Sequence, residues 1–157
     1  MHTWFECKIR YEKVMENGMQ KKVTEPYLVD ALSFTEAEAR IIEEMTPFIS
    51  GEFTVSDIKR ANYSELFPSD EESADRWFKC KLIFITLDEK SGAEKKTSTQ
   101  VLVQAADLRD AVKKLDEGMK GTMADYQIGM VSETPLMDVY PYSAEPNDKP
   151  EFDPAKS

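Results

Sequence analysis

Two tryptophans stand among cationic side chains in two similar stretches of the chain, a combination that could bind single-stranded nucleic acid. WFECKIRY begins at Trp4, and WFKCKLIF begins at Trp77. Proteins that bind single strands stack bases on aromatic rings and neutralise phosphates with nearby cations. The candidate binding residues are Trp4, Lys8, Arg10, Trp77, Lys79 and Lys81.

The same residues also fit a packed or protein-binding surface. In that interpretation the tryptophans cover the edge of the core, or this face packs against another subunit or the partner repeat, with lysine stems covering apolar surface. The chain has 20 Lys and Arg against 30 Asp and Glu, giving a net charge of −10. Such a charge disfavours binding to nucleic acid or to an anionic membrane. A protein partner or self-association is therefore the preferred expectation.

The residue types that most often carry catalysis are few and poorly placed. His2 is the only histidine, so the sequence offers little for a histidine base, a histidine triad or a histidine metal site. Cys7 and Cys80 alternate with apolar residues in predicted strands, which predicts two buried thiols. A disulfide between them and a reactive thiol are the alternatives.

Acidic side chains are abundant, but their spacing does not match a metal site. The acids within residues 36–44 and 70–72 lack the fixed spacing of a calcium loop, and consecutive acids cannot all face one ion. The six glycines do not form a phosphate-binding loop. We therefore expect no metal, no cofactor and no catalytic residue. An enzyme with a site built from carboxylates or backbone groups stays open as the third hypothesis.

The two tryptophan stretches begin an internal repeat. Trp4 and Trp77 are 73 residues apart, and matched apolar positions further along keep a separation of 73 or 74. One residue gained in a loop and one lost before the last strand explain the difference. The repeats are residues 4–67 and 77–140. Because each is small for an independent core, we expect one domain with pseudo-twofold symmetry.

Each repeat predicts two strands, a helix and a third strand, in that order. Apolar and polar side chains alternate in the first strand, with the two-residue period of a half-buried strand. Asn17-Gly18 and Ser91-Gly92 predict hairpin turns. Ser33 and Asp107 are predicted helix N-caps, each with an acidic residue three places later. Pro26 predicts an edge position or a bulge, because proline has no amide hydrogen for a ladder.

These elements predict an α+β fold in which a ββαβ(β) unit is used twice. Each repeat would lay one helix on a mostly antiparallel sheet. We expect a single domain over residues 1–142, an acidic linker at 68–76, and a disordered, acidic, proline-rich tail at 143–157. The sequence contains neither a long apolar run nor a secretory leader, so we expect a cytoplasmic protein with no membrane contact.

The chain resembles a family of small uncharacterised proteins from Bacteroides-type bacteria. The resemblance rests on WFECKIRY, on ALSFTEAEAR from Ala31, and on FTVSDIKRANYSELF from Phe53. It implies a bacterial, cytoplasmic setting and transfers no catalytic residue, since the family has no assigned activity. The expected function is a non-enzymatic protein-interaction or regulatory module, with single-stranded nucleic-acid binding as the alternative.

Overall fold

A computed structural model describes residues 3–141, which form eight strands and two helices. The strands are β1 (Thr3–Val14), β2 (Gln20–Ala31), β3 (Phe53–Ala61), β4 (Glu65–Phe67), β5 (Arg76–Leu87), β6 (Glu94–Ala105), β7 (Asp125–Glu133) and β8 (Asp138–Tyr140). The helices are α1 (Phe34–Met45) and α2 (Leu108–Gly118). The fold class is therefore α+β, as predicted. His2 and the predicted tail at 143–157 lie outside the described residues.

The chain divides into two compact units, each with one helix and one four-stranded sheet. Unit 1 takes residues 3–61 and 137–141 of the described chain, and unit 2 takes Asn62–Leu136. The sheet of unit 1 has the order β3-β1-β2-β8, and that of unit 2 has the order β4-β6-β5-β7. Both sheets are mixed. The long strands pair antiparallel, whereas each short strand pairs parallel to its neighbour.

The two short strands do not pair with the strands that precede them in the chain. β4 follows β3 of unit 1 but pairs with β6 in unit 2, where Leu66 lies opposite Leu102. β8 follows β7 of unit 2 but pairs with β2 in unit 1, where Val139 lies opposite Leu28. The ββαβ(β) pattern predicted a short last strand in each repeat but not where that strand pairs.

The predicted sidedness of the first strands is confirmed. In unit 1 the core cluster joins one face of β1 to one stripe of α1, with Phe5, Cys7, Ile9, Ala37 and Ile41 all fully buried. In unit 2 the corresponding cluster joins β5 to α2. Alternation along a strand places every second side chain on the helix-facing side, so a single helical stripe covers the apolar residues.

Both predicted helix N-caps are confirmed. The hydroxyl of Ser33 accepts a hydrogen bond from the amide of Glu36, and the carboxylate of Asp107 accepts one from the amide of Asp110. The carboxylate of Glu36 in turn accepts from the Leu32 amide at 2.9 Å. Reciprocal bonds of this kind satisfy amide groups that have no partner within the first turn of a helix.

The hairpins and Pro26 also follow the sequence signals. Gly18 has φ +83° and Gly92 has φ +72°, both in the left-handed region that glycine adopts without strain. Pro26 immediately precedes the three β2 residues that pair with β8. Its carbonyl accepts a hydrogen bond from the Met137 amide. The nitrogen of a strand residue points to the same side as its carbonyl, and on that side β8 pairs with β2 only from Tyr27 onward, so the missing donor breaks no bond of that ladder.

The linker lies against α2 rather than extending freely. The Nζ of Lys114 donates to the Ser69 hydroxyl at 3.2 Å and forms ion pairs with Glu71 at 2.8 Å and Asp110 at 2.9 Å. Ala74 is buried. These contacts hold the segment that follows β4 against the helix of unit 2.

Candidate functional site

The structure places Trp4, Lys8 and Arg10 on the face of the unit 1 sheet that points away from α1. Trp4 and Lys8 are half-buried and Arg10 is exposed. Lys8 lies opposite Asp57, and Glu6, on the same face, is 4.0 Å from Lys59. Acidic neighbours therefore offset much of the positive charge of this face.

Trp77, Lys79 and Lys81 lie on the matching face of the unit 2 sheet. Trp77 is only 5% exposed, while the two lysines are half-buried. The Trp77 carbonyl accepts hydrogen bonds from both the amide and the hydroxyl of Thr134. A base stacks only on a ring face that it can reach, so Trp4 is the more accessible of the two rings.

A polar cluster that the sequence analysis missed lies on the helix-facing side of unit 1. The hydroxyl of Tyr11 donates to Oε1 of Glu25 at 2.8 Å, and the hydroxyl of Tyr27 donates to the same oxygen at 3.4 Å. The Nζ of Lys13 is 3.7 Å from Oε2. The Glu25 side chain is 13% exposed, so this carboxylate is largely removed from water.

Tyr140 joins this cluster from β8. Its ring stacks on that of Tyr27, with ring centroids 6.2 Å apart and an interplanar angle of 21°. Tyr140 lies opposite Val29, two residues beyond Tyr27 on β2, so the rings are diagonal neighbours on one sheet face. We call Tyr11, Glu25, Tyr27 and Tyr140 the tyrosine site.

The surroundings keep the tyrosine hydroxyls protonated. Burial, followed by the hydrogen bond to Glu25, raises the pKa of Tyr11 from 10.0 to about 12. Burial, followed by the charges of Asp138 and Glu44, raises the pKa of Tyr140 to about 12. Burial and the Glu25 charge also raise the pKa of Tyr27. At neutral pH these groups act as hydrogen-bond donors and aromatic surfaces, and not as proton acceptors.

The residues of unit 2 at the corresponding places are mostly apolar. In the order of Tyr11, Lys13, Glu25, Tyr27 and Tyr140 they are Phe84, Thr86, Thr99, Val101 and Phe67. Phe67 and Phe84 pack against the core of unit 2. Unit 2 thus builds the same sheet without a carboxylate or a tyrosine at these places, so the polar cluster is not a requirement of the fold.

A two-stranded arm, Glu12–Lys22, extends from the tyrosine site. β3 pairs with β1 only as far as Tyr11, so the arm has no third strand. Lys13 and Lys21 lie directly opposite each other on it. At its tip Val14 is 65% exposed, Met15 39% and Met19 67%. The arm therefore presents three apolar side chains beside a pair of like charges.

The two cysteines are buried thiols, as predicted. Cys7 and Cys80 have no exposed surface, and both are free. Burial raises the pKa of Cys7 to about 12, with smaller contributions from Glu6 and Asp57, and burial alone raises that of Cys80 to about 11. A thiolate nucleophile needs a lowered pKa and an open approach, and neither thiol has them.

Residues 3–141 contain no group of three His, Cys, Asp or Glu side chains arranged to hold a metal ion. Neither helix in this part of the chain has the length and apolar composition needed to cross a membrane.

The family of the chain follows from its match to a family model over residues 3–142, which is nearly the whole sequence. The chain belongs to DUF4494, a domain of unknown function. The match spans both units and all the strands described above. A comparison with curated proteins gives no significant match.

One sequence signal could have found the tyrosine site. Alternation along β2 places Val23, Glu25, Tyr27 and Val29 on the helix-facing side, so Glu25 is a charged residue in an otherwise apolar or aromatic series. A carboxylate in such a place needs hydrogen-bond donors nearby. Tyr11 comes from the neighbouring strand, but Tyr140 comes from a segment far along the chain, which alternation alone does not predict.

Proposed function

We propose that this protein is a non-enzymatic protein-interaction module that docks an acidic, apolar segment of a partner protein on the Glu12–Lys22 arm. The observation that carries the proposal is the pair of lysines at the base of an exposed apolar tip. A bacterial, cytoplasmic setting, implied by the family resemblance, completes the proposal.

The lysine pair supports an anionic partner. Like charges directly opposite each other on an antiparallel ladder destabilise it. Glu25 offsets Lys13 only weakly, because their closest atoms are 3.7 Å apart and the lysine side chain is 47% exposed. A partner carboxylate between Lys13 and Lys21 would remove the repulsion. On the other face of the arm, Glu12 lies opposite Lys22, so opposite charges already face each other there and no partner is needed.

The tip supports an apolar contact beside the charged one. Val14, Met15 and Met19 are large apolar side chains that lie exposed at the turn between β1 and β2. Methionine is flexible and polarisable, which suits it to packing against differently shaped partner surfaces. The turn itself is well formed, since the Met15 amide donates to the Met19 carbonyl at 2.8 Å. A preformed turn lowers the entropy lost on binding.

Single-stranded nucleic acid is the alternative ligand, since its phosphates, like the carboxylates of an acidic segment, are anions. The net charge of −10 works against it over the whole chain. The low exposure of Trp77 also disfavours stacking of a base on that ring. We therefore favour a protein partner, and a nucleic-acid probe belongs in its test.

We also propose that the chain is an internal duplication with pseudo-twofold symmetry, folded as one domain in which each half supplies its short strand to the other unit. Three features support this: the repeated sequence spacing, the corresponding strand orders, and register shifts at matching places, between Lys8 and Ile9 and between Lys81 and Leu82. A duplicated fold offers an internal comparison. Polar residues found in one unit alone then point to features that the fold itself does not require.

The class of partner can be tested with fluorescently labelled probes and the full-length protein. The probes are short peptides that alternate Asp or Glu with Leu or Phe, matched peptides with Lys in place of the acids, and an oligothymidylate. We expect micromolar binding of the acidic peptide and none of the basic peptide. Sedimentation without a probe will report self-association.

Stronger binding of the oligothymidylate than of the acidic peptide would favour the nucleic-acid alternative over a protein partner. Binding of the acidic and basic peptides with equal affinity would show that charge does not select the ligand, contrary to the proposal. Self-association that a Met19→Ser variant abolishes would mean that a second copy occupies the tip.

A further inference from the structure

Within residues 3–141, only one of the two Glu25 carboxylate oxygens accepts hydrogen bonds. Among the described residues, both hydrogen bonds to this carboxylate go to Oε1, from Tyr11 and Tyr27. Within residues 3–141, the other oxygen, Oε2, has only the Lys13 ammonium, at a distance of 3.7 Å. A carboxylate can accept about four hydrogen bonds, and Oε2 is not among the fully buried oxygens of the described residues, so it has acceptor capacity that a ligand can reach.

Tyrosine side chains lie around the same carboxylate. The rings of Tyr27 and Tyr140 stack, and the hydroxyls of Tyr11 and Tyr27 both point to Glu25. Organic cations bind where aromatic ring faces combine with a negative charge, because the ring face is itself electronegative. The site therefore has the two components that recognise an ammonium or guanidinium group.

We infer that the tyrosine site binds an organic cation, a guanidinium or a primary ammonium, whose N–H groups bond Oε2 of Glu25. This is a binding site beyond the docking role of the arm. Charge-assisted bonds to a carboxylate are short and are strongest for the planar guanidinium, which can use two N–H groups at once. The guanidinium is therefore the preferred ligand.

Lys13 competes with such a ligand for the Glu25 carboxylate. Its ammonium is 3.7 Å from Oε2, which is beyond hydrogen-bond distance, and its side chain is half exposed. An incoming cation with closer geometry displaces it at little cost, since exposed ion pairs contribute little free energy. Unit 2 has Thr86 and Thr99 at the two corresponding places, so it holds neither the carboxylate nor the competing cation.

The test uses full-length protein with ¹³C-labelled tyrosine rings, titrated with methylguanidinium chloride or n-butylammonium chloride and, as a control, with sodium chloride. We expect the ring signals of Tyr11, Tyr27 and Tyr140 to shift with the organic cations only. Glu25→Gln should weaken binding at least about tenfold, as expected for loss of a charge-assisted bond. Glu12→Gln, on the other face of the arm, should leave binding unchanged.

Lys13→Met gives a measurement that does not depend on the stability of the Glu25 variant. Removing the competing ammonium should tighten binding several-fold. Ring signals that respond to methylguanidinium no more than to sodium chloride, or a Lys13→Met variant that binds no tighter than the wild type, would overturn the inference.

A capped Gly-Arg-Gly peptide separates the two sources of such a cation. Tighter binding of the peptide than of methylguanidinium supports the site and identifies an arginine side chain of a protein as its ligand. Equal or weaker binding supports the site with a free small cation as its ligand.

Discussion

The ring of Phe67 lies directly against Gly118. A Cβ atom on Gly118 would stand 2.9 Å from both Cδ1 and Cε1 of the ring, closer than such atoms approach in proteins. Phe67 is the last residue of β4, and Gly118 is the last residue of α2. Both residues lie in unit 2, on either side of the linker, so this contact is specific to a chain in which β4 pairs with β6.

The close contact predicts the effect of Gly118→Ala. The added methyl group should displace the Phe67 ring from the unit 2 core and lower the free energy of unfolding by about 1–3 kcal/mol, the usual cost of overpacking. Denaturant unfolding measures the difference. Gly51→Ala is the control, because nothing lies within 4 Å of the new atom there. If both variants are equally stable, Phe67 does not pack on α2.

Each short strand pairs with a strand on the other side of the linker, so we expect a chain that is cut in the linker to stay together. A protease site inserted after Glu72, which is exposed, would separate β4 from β6 and β2 from β8 in sequence but not in space. After cleavage the two fragments should elute together in gel filtration and separate only in denaturant. Fragments that separate under native conditions would contradict these strand pairings.

Local features of this fold could be predicted from the sequence, and non-local ones could not. The turn at Gly18 and the cap at Ser33 depend on a few neighbouring residues, so their signals are complete within a short window. β4 has three residues, and its parallel pairing with β6 depends on residues far along the chain. Nothing in Glu65–Phe67 specifies that partner. For the same reason the stacking of Tyr140 on Tyr27 was missed.

The raised pKa values predict weaker stability at alkaline pH. The folded chain keeps protons on Cys7 and Tyr11, whose pKa values rise from 9.0 and 10.0 to about 12. The unfolded chain releases these protons near the ordinary values. Between the two pKa values the unfolded state therefore holds fewer protons, and the free energy of unfolding falls as pH rises.

Denaturant unfolding from neutral to strongly alkaline pH tests this slope. Below the ordinary pKa values both the folded and the unfolded chain keep these protons. The free energy of unfolding should therefore not change with pH on account of these groups. Tyr11→Phe removes one titrating group and should give a shallower decline above the ordinary tyrosine pKa of 10.0. The same slope in variant and wild type would mean that Tyr11 ionises as easily in the folded state as in the unfolded one.

The docking role of the arm is tested most directly by a matched pair of charge reversals. Lys21 lies opposite Lys13 in unit 1, and Lys95 lies at the corresponding place in unit 2, opposite Thr86. Both are exposed, so Lys21→Glu and Lys95→Glu change the net charge equally and should leave the fold intact. The measurement is the Kd of the acidic, apolar peptide for each variant. We predict that Lys21→Glu weakens binding by about tenfold or more, as for loss of an interfacial charge pair, while Lys95→Glu leaves the Kd unchanged. Equal effects of the two substitutions, or none from Lys21→Glu, would contradict docking on the arm.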